Sequence, residues 1–295
     1  MTLLHALLLT DGNPGHEKQS RAILRALNRY VDLETEQCAV EAVQPRFRAD
    51  IAIGTGRTTH YPLVKVKMRC GARIITCMSP HVIFRYLFDL CCVPLHDSIT
   101  GKNIFTTMGP PNLSSPSSQH NNKAGLIVVG GADDTSHYWN DVEILDTLSE
   151  ILNKSDISCW TVAGSPRTPA QTEDKIIRLL GSHRHASYYS FNQTPPGWIE
   201  EQYQRNATVW VTADSINMIY EALTAGCKVG VIPVRWKKRR KKFAINERYL
   251  VERDMILTFD QWRLGDELPE LSAPLNEADR CAREIVRRWW PENLP

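Results

Sequence analysis

An aspartate and a histidine five residues apart, in Thr10-Asp11-Gly12-Asn13-Pro14-Gly15-His16-Glu17, are the first acid and histidine in this sequence to share a glycine-rich loop, and both are suited to moving a proton. An unperturbed histidine titrates nearest neutrality, and a carboxylate serves either as the base itself or as the group that orients the ring. Two glycines allow close backbone approach to a ligand, and a helix starting after them offers free N–H groups. An ordinary strand-to-helix turn, with Asp11 bonding backbone amides, uses the same residues.

Three further loops carry polar groups in patterns that suit an anionic or sugar ligand. Gly54-Thr55-Gly56-Arg57-Thr58-Thr59 holds part of a G-x-G-x-x-G pattern, but no acidic residue follows at the distance a dinucleotide site needs. Gly56 and Arg57 are its candidate contacts, against the reading of a tight turn. Gly130-Gly131 and Gly164-Ser165-Pro166-Arg167-Thr168-Pro169 form the next pair. Arg167 offers a bidentate clamp for phosphate, with hydroxyls from Ser165 and Thr168. Thr168 as N-cap with Pro169 at the first helical position is the structural reading of the same stretch. The last loop begins Val211-Thr212-Ala213-Asp214-Ser215 and runs into a helix carrying Met218 and Glu221. The leading amides of that helix suit a diphosphate, and Glu221, two turns in, suits ribose hydroxyls. A lone glutamate on a helix is otherwise most often exposed.

Two basic stretches also stand out. Trp236-Lys237-Lys238-Arg239-Arg240-Lys241-Lys242-Phe243 suits anionic lipid head groups, a phosphorylated substrate, a solvated loop or a nucleic-acid patch. Arg287-Arg288-Trp289-Trp290 reads either as an interfacial element or as a helix end packed on a neighbouring domain. The histidines are scattered without metal-ligand spacing, and Asp133-Asp134 lacks the D-x-D arrangement. No metal and no cofactor are expected. Walker A and G-x-S-x-G patterns are absent, which disfavours P-loop ATPases and α/β-hydrolases.

The elements that must position these loops alternate. Apolar runs at Leu3–Leu9, Asp50–Gly54, Arg73–Cys77 and Phe88–Val93 predict strands, with helices over Gln19–Tyr30 and Thr58–Arg69. A Pro-, Ser- and Asn-rich segment follows Gly109, and the alternation then restarts. Strands are predicted at Leu126–Val129, Ile157–Val162, Val209–Thr212 and Lys228–Ile232, with helices over Val142–Leu152, Thr172–Leu180 and Ile216–Ala225. The chain of 295 residues is long for one core. The prediction is an α/β protein of two Rossmann-like domains facing a cleft, with ligands at the carboxyl ends of the strands. The domains are placed at 1–112 and 124–295, joined by a linker over 113–123, with a C-terminal helix packing back on the first. A formal charge of +2 gives no reason to expect nucleic acid as a partner. Eight cysteines without C-x-x-C, several inside apolar runs, predict reduced thiols in a cytoplasmic protein. No run of 18 apolar residues predicts a membrane span.

In order along the chain, Asp11–Gln19, Gly54–Thr59, Val128–Gly131, Ser165–Pro169 and Val211–Ala222 resemble the mitochondrial fission protein-like family. Thr58 stands where a second arginine is common, and Pro166 where an arginine commonly precedes Arg167, so positive charge is lost at both. That family is similar in fold to GT-B glycosyltransferases, above all to the enzyme that adds N-acetylglucosamine to a lipid-linked peptidoglycan precursor. The resemblance implies a nucleotide-sugar donor held by the second domain, at Gly130, Gly131, Ser165, Arg167, Thr168, Asp214, Ser215, Met218 and Glu221. It implies an acceptor on the first domain, near Gly15, Gln19, Gly56 and Arg57, with His16 or Asp11 as catalytic base. The implied acceptor is a lipid-linked or polysaccharide molecule of the cell envelope, and the implied location includes peripheral contact with an anionic inner membrane. Plant members act in organelle division, so a non-catalytic adaptor that recruits a protein partner is the alternative.

Overall fold

The structure is a computed structural model and describes residues 3–42, 48–237, 241–273 and 275–295. It divides into two compact units, one of Met1–Leu113 with Asn276–Pro295 and one of Ser114–Leu275. The second unit therefore stops at Leu275, short of the predicted end at 295.

The first unit runs β1 (Leu4–Thr10), α1 (Pro14–Leu27), β2 (Leu33–Ala39), β3 (Ile51–Thr55), α2 (His60–Cys70), β4 (Arg73–Cys77), β5 (Leu90–Pro94) and β6 (Ile104–Thr107). Among the described residues these strands form one parallel sheet in the order β2-β1-β3-β4-β5-β6. The central strands are apolar on both faces because helices cover both. Leu8, Ile53 and Ile75 pack toward α1, while Leu7, Leu9, Ala52 and Ile74 pack toward α2. β2 and β6 escape an apolar-run search because edge strands expose polar side chains, as the Leu33–Ala39 stretch LETEQCA does.

Helix α1 begins five residues before the predicted Gln19. Asn13 is the cause: its side chain accepts from the amides of Gly15 at 2.9 Å and His16 at 3.4 Å, and Pro14 takes the first helical position. His16 thus belongs to the first turn of a helix rather than to a loop.

The C-terminal helix, Glu277–Trp289, completes this unit's core. Its Ala278, Cys281, Ala282, Ile285 and Val286 are buried in the same cluster as Ala22, Ile23 and Leu27 of α1. Full burial of a side chain such as Ile285 or Val286 contributes about 1.5–3 kcal/mol. Trp289, Trp290 and Leu294 pack against that cluster as well, and Arg287 and Arg288 both bind Glu284. The interfacial reading of residues 287–290 is therefore wrong; the stretch is a helix end closing a core. All eight cysteines are free thiols, and burial pushes Cys91 up to about 12, so it acts as a small hydrophobe.

The second unit runs β7 (Asn121–Val129), β8 (His137–Tyr138), α3 (Asp141–Lys154), β9 (Cys159–Gly164), α4 (Ala170–Leu180), β10 (Ala186–Tyr189), α5 (Trp198–Arg205), β11 (Asn206–Thr212), α6 (Ile216–Ala225), β12 (Lys228–Ile232), β13 (Arg235–Trp236), α7 (Lys241–Val251), β14 (Leu257–Thr258) and α8 (Phe259–Arg263). β7 opens inside the predicted linker, at Asn121 rather than beyond residue 123. Among the described residues the main sheet is parallel, ordered β10-β9-β7-β11-β12-β14. Counted within the sheet, that is 3-2-1-4-5-6, the Rossmann order.

Each sheet has one point where the chain reverses its direction of growth. In the first unit it lies between β1 and β3, in the second between β7 and β11. Crevices at the carboxyl ends of such strand pairs are where open α/β sheets bind ligands. Among the described residues no helix is long and apolar enough to cross a membrane.

Candidate functional site

At the first reversal, the residues after β1 and β3 meet. His16 Nδ1 lies 2.8 Å from Asp11 Oδ2, and the Thr58 hydroxyl donates to the same oxygen at 3.1 Å. Asp11 Oδ1 accepts from the Asn13 amide at 3.1 Å. Burial alone would raise the Asp11 carboxyl, but the bonds from His16, Asn13 and Thr58 outweigh it and hold the group below its ordinary value. An ionised carboxylate only accepts hydrogen bonds, so Nδ1 must carry the ring proton and Nε2 is left as the basic nitrogen. In this arrangement the Asp11 carboxylate fixes the orientation of the His16 ring through Nδ1.

Gly56 allows this approach. Its φ of +95° suits glycine, and a Cβ there would lie 2.5 Å from Asp11 Oδ2 and 2.6 Å from His16 Nδ1. Thr58, the departure from the family pattern, supplies the third bond to Asp11 in place of a charge. Ser20 on α1 and Thr55 at the end of β3 share a 2.7 Å hydrogen bond that fixes the two elements to each other. Gly15 lies in the first turn of α1 through its amide bond to Asn13, Gln19 is buried on the same helix, and Arg57 is exposed.

At the second reversal, Gly130, Gly131, Ser165, Arg167, Thr168, Asp214 and Ser215 form one network. Arg167 Nη2 donates to Asp214 Oδ2 at 2.6 Å and to Ser215 Oγ at 3.3 Å, and Nη1 donates to the Gly131 carbonyl at 3.4 Å. Asp214 also accepts from the Gly131 amide at 3.2 Å. Its side chain is 1% exposed while that of Arg167 is 41% exposed, so the pair joins a buried carboxylate to a half-open guanidinium. Ser165 donates to the Gly130 carbonyl at 2.9 Å, and Thr168 to that of Val129 at 3.0 Å. Gly131 is required by close approach, since a Cβ there would stand 1.9 Å from the Arg167 carbonyl oxygen.

This geometry corrects the capping reading of Thr168. Pro169 is the N-cap of α4, with no side-chain cap, and the Thr168 hydroxyl is turned to the carbonyl ends of β7 instead. Ser215 likewise makes no side-chain cap on α6, because its hydroxyl is engaged by Arg167 and Asp214. The first-turn amides of α6 are left to a ligand or to water.

Met218 and Glu221 follow along α6, three residues apart and so on one face. Glu221 is not the exposed residue that a lone helical glutamate usually is: it is 6% exposed, in the part of α6 that packs on α5. It lies against Tyr203, whose phenol is pushed far up by burial and by the Glu221 charge. The sequence offers no sign of this partner. Thr212, which accepts from the Gly130 amide at 2.7 Å, and His137, whose Nε2 lies 3.0 Å from the Gly131 carbonyl, were missed as well. A hydroxyl at the last position of a strand was the available sign for Thr212; His137 had none.

The burial of Glu221 decides how it should be tested. Removing the whole carboxylate would leave a hole beside Tyr203, so Glu221→Gln is the informative change. If the charge receives ribose hydroxyls, that variant should bind its nucleotide sugar about 1.5–3 kcal/mol more weakly, the range for hydrogen bonds to charged groups. Calorimetric titration measures this, and an unchanged affinity would assign Glu221 to the α5–α6 interface alone.

Of the basic stretch at 236–243, Lys238, Arg239 and Arg240 lie outside the described residues, as do the side chains of Lys241, Lys242 and Phe243. Trp236 packs edge-on against His137 at 5.8 Å between centroids, and Lys237 lies 4.9 Å from the centre of the Tyr138 ring. Among the described residues no cluster of histidine, cysteine, aspartate and glutamate could hold a metal ion.

Comparison with solved structures places the architecture. A putative UDP-N-acetylglucosamine 2-epimerase from Listeria monocytogenes shares 12% identity, covers 100% of this chain and 98% of its own, and superposes with a TM-score of 0.64. The UDP-GlcNAc 2-epimerase of Neisseria meningitidis, bound to UDP-GlcNAc, shares 11%, covers 97% and 99%, and gives 0.56. UGT2 of Phytolacca americana, complexed with UDP-2-fluoro-glucose and pterostilbene, shares 10%, covers 98% and 91%, and gives 0.53. At these identities the likeness is one of fold: two Rossmann-like domains of the GT-B type. No curated protein matches the sequence. Residues 14–289 match the family described as mitochondrial fission ELM1, and the chain belongs to it.

Proposed function

We propose that this protein is a glycosyltransferase that moves a sugar from a nucleotide-sugar donor to a cell-envelope glycolipid or polysaccharide acceptor. The second unit holds the donor. The half-open Arg167 guanidinium and the uncapped amides of α6 take the diphosphate, and Glu221 takes the ribose. The first unit supplies the base. His16 Nε2 removes the acceptor hydroxyl proton as the acceptor oxygen bonds to the anomeric carbon. The bond from that carbon to the diphosphate breaks, and the nucleoside diphosphate leaves with the electron pair. Arg167 and the α6 dipole stabilise the charge that develops there.

The observation that carries the proposal is the network at the β7/β11 reversal. Seven polar or glycine positions converge where a Rossmann sheet takes a phosphate, and the arginine is held by a buried aspartate with part of its fork still open. The adaptor alternative needs neither that opening nor an oriented His16.

The test is a thermal-shift series with nucleoside diphosphates and nucleotide sugars. A donor bound at a hundredfold excess over its Kd stabilises the folded protein by about 2.7 kcal/mol, a readable rise in Tm. Arg167→Lys keeps the charge but loses the planar fork, and should reduce that rise. If no nucleotide or nucleotide sugar moves the Tm of the wild-type protein, the adaptor reading takes its place.

A further inference from the structure

We propose that the outer surface of residues 79–87, together with the exposed face of α2, docks the first unit on an anionic lipid bilayer. Where a crossover helix would ordinarily join parallel β4 and β5, the chain makes a series of turns. Those turns present Val82, Ile83 and Tyr86, which are 72%, 72% and 81% exposed. They do so on a fixed base. Phe84 and Phe88 pack on His60 of α2, and Lys67 binds the Leu87 carbonyl at 2.9 Å. Asn103 donates to the carbonyls of Arg85 and Phe88 at 2.7 and 2.9 Å. A segment held from beneath by two phenylalanines, yet showing three large apolar side chains outward, has its exposed surface built in.

The neighbouring face of α2 repeats the composition. Tyr61 and Met68 are exposed at helical spacing with Lys65 between them, and the Lys65 ammonium lies 4.3 Å from the Tyr61 ring centre.

Charge selects the partner. Residues 51–88 contain Arg57, Lys65, Lys67, Arg69, Arg73 and Arg85 and no acidic residue, in a chain whose totals are 35 basic and 33 acidic. The carboxylates beyond that stretch are engaged inward: Asp89 by Lys67 at 2.8 Å and Asp97 by the Ser79 hydroxyl. Large apolar side chains beside the exposed cations Lys65 and Arg69 suit an interface of anionic head groups over acyl chains. The segment follows the carboxyl end of β4, the edge of the sheet that carries Asp11, His16 and Gly56. Docking here would bring a lipid-borne acceptor to that edge; this last point rests on the proposed function, while the docking does not.

The experiment is co-sedimentation of the full chain with phosphatidylcholine vesicles, with and without phosphatidylglycerol, at low and high ionic strength. The wild type is expected to pellet with the anionic vesicles and to be released by salt. Replacing Val82, Ile83 and Tyr86 together by serine should lower the partition coefficient about tenfold or more, because the inserting carbons are gone. Lys65→Glu with Arg69→Glu should lower binding to anionic vesicles and flatten the salt dependence. All these side chains are exposed, so circular dichroism and Tm should match the wild type, and a match keeps the comparison valid. Three results would overturn the proposal. One is no wild-type binding at low salt. Another is undiminished binding by the folded serine variant, including the case where only glutamine replacement of the cations at 237–242 abolishes it. The third is concentration-dependent dimerisation of the wild type that the serine variant loses, which would assign the face to a second copy of the chain. Because the readout is partition rather than turnover, it stands whether or not sugar transfer is found.

Discussion

His16→Asn is expected to lower sugar-transfer turnover by about 10²–10⁴-fold, the range a positioned general base contributes. An acceptor hydroxyl is a poor nucleophile while it keeps its proton, and asparagine cannot take one. Donor affinity should be nearly unchanged, because the groups assigned to the donor all lie in the other unit. Asp11→Asn tests the order between the pair. The amide no longer fixes the proton on Nδ1, so the ring loses both its preferred tautomer and its orientation, and turnover should also fall. Turnover and donor affinity measured side by side for the two variants give the answer. Wild-type turnover in both would reduce Asp11 and His16 to the entry of a helix. The 2.8 Å bond also bears on stability. Because the Asp11 carboxyl lies below its ordinary value, its bonds stabilise the fold above the unfolded-state pKa of about 3.9. That part is lost as the pH falls through the lower folded value.

Arg167→Met is expected to destabilise the protein by about 3 kcal/mol, the lower end of the cost of breaking a buried ion pair. The lower end applies because the arginine itself is half-exposed, whereas the aspartate left behind is not. Methionine keeps the length of the side chain, so the loss reports charge and hydrogen bonds. The double variant Arg167→Met with Asp214→Asn should recover most of the stability, since the stranded charge is gone. It should not recover diphosphate binding. Denaturant unfolding of the single and double variants separates the two roles of Arg167. Equal instability in both would mean that Asp214 is not the cause, and that the 165–168 loop fails for another reason.

Legibility in the sequence followed burial. Strands such as Leu4–Thr10 and Asn206–Thr212 are covered on both faces and announce themselves as apolar runs, so the two sheets and their order of loops could be read. The edge strands Leu33–Ala39 and Ala186–Tyr189 could not, because half or more of their side chains meet water. The loops of the candidate site were visible through glycine, arginine and hydroxyl residues at strand ends. Their internal partnerships were not. That Asp214 would be spent on Arg167, that Thr58 would replace a charge with a hydrogen bond, and that Glu221 would be buried against Tyr203 all depend on which residues the sheet order brings together. The start of α1 was missed for a local reason: Asn13 and Pro14 form a cap-and-entry pair that precedes the apolar periodicity by a full turn.

The first unit is assembled from two separated pieces of chain, and the second from one. During synthesis the whole of residues 114–275 is available before the helix Glu277–Trp289 is made. Domains fold as they emerge. The unit translated first must therefore finish last: its β1, β3 and α1 wait with one side of their core uncovered while the later unit folds. Ala22, Ile23 and Leu27 lack part of their cluster in that interval. The nascent protein consequently depends on a late, long-range closure, the slowest kind of contact to form. Ribosome pausing or premature termination within residues 276–295 would leave a finished second unit joined to an unsealed first one.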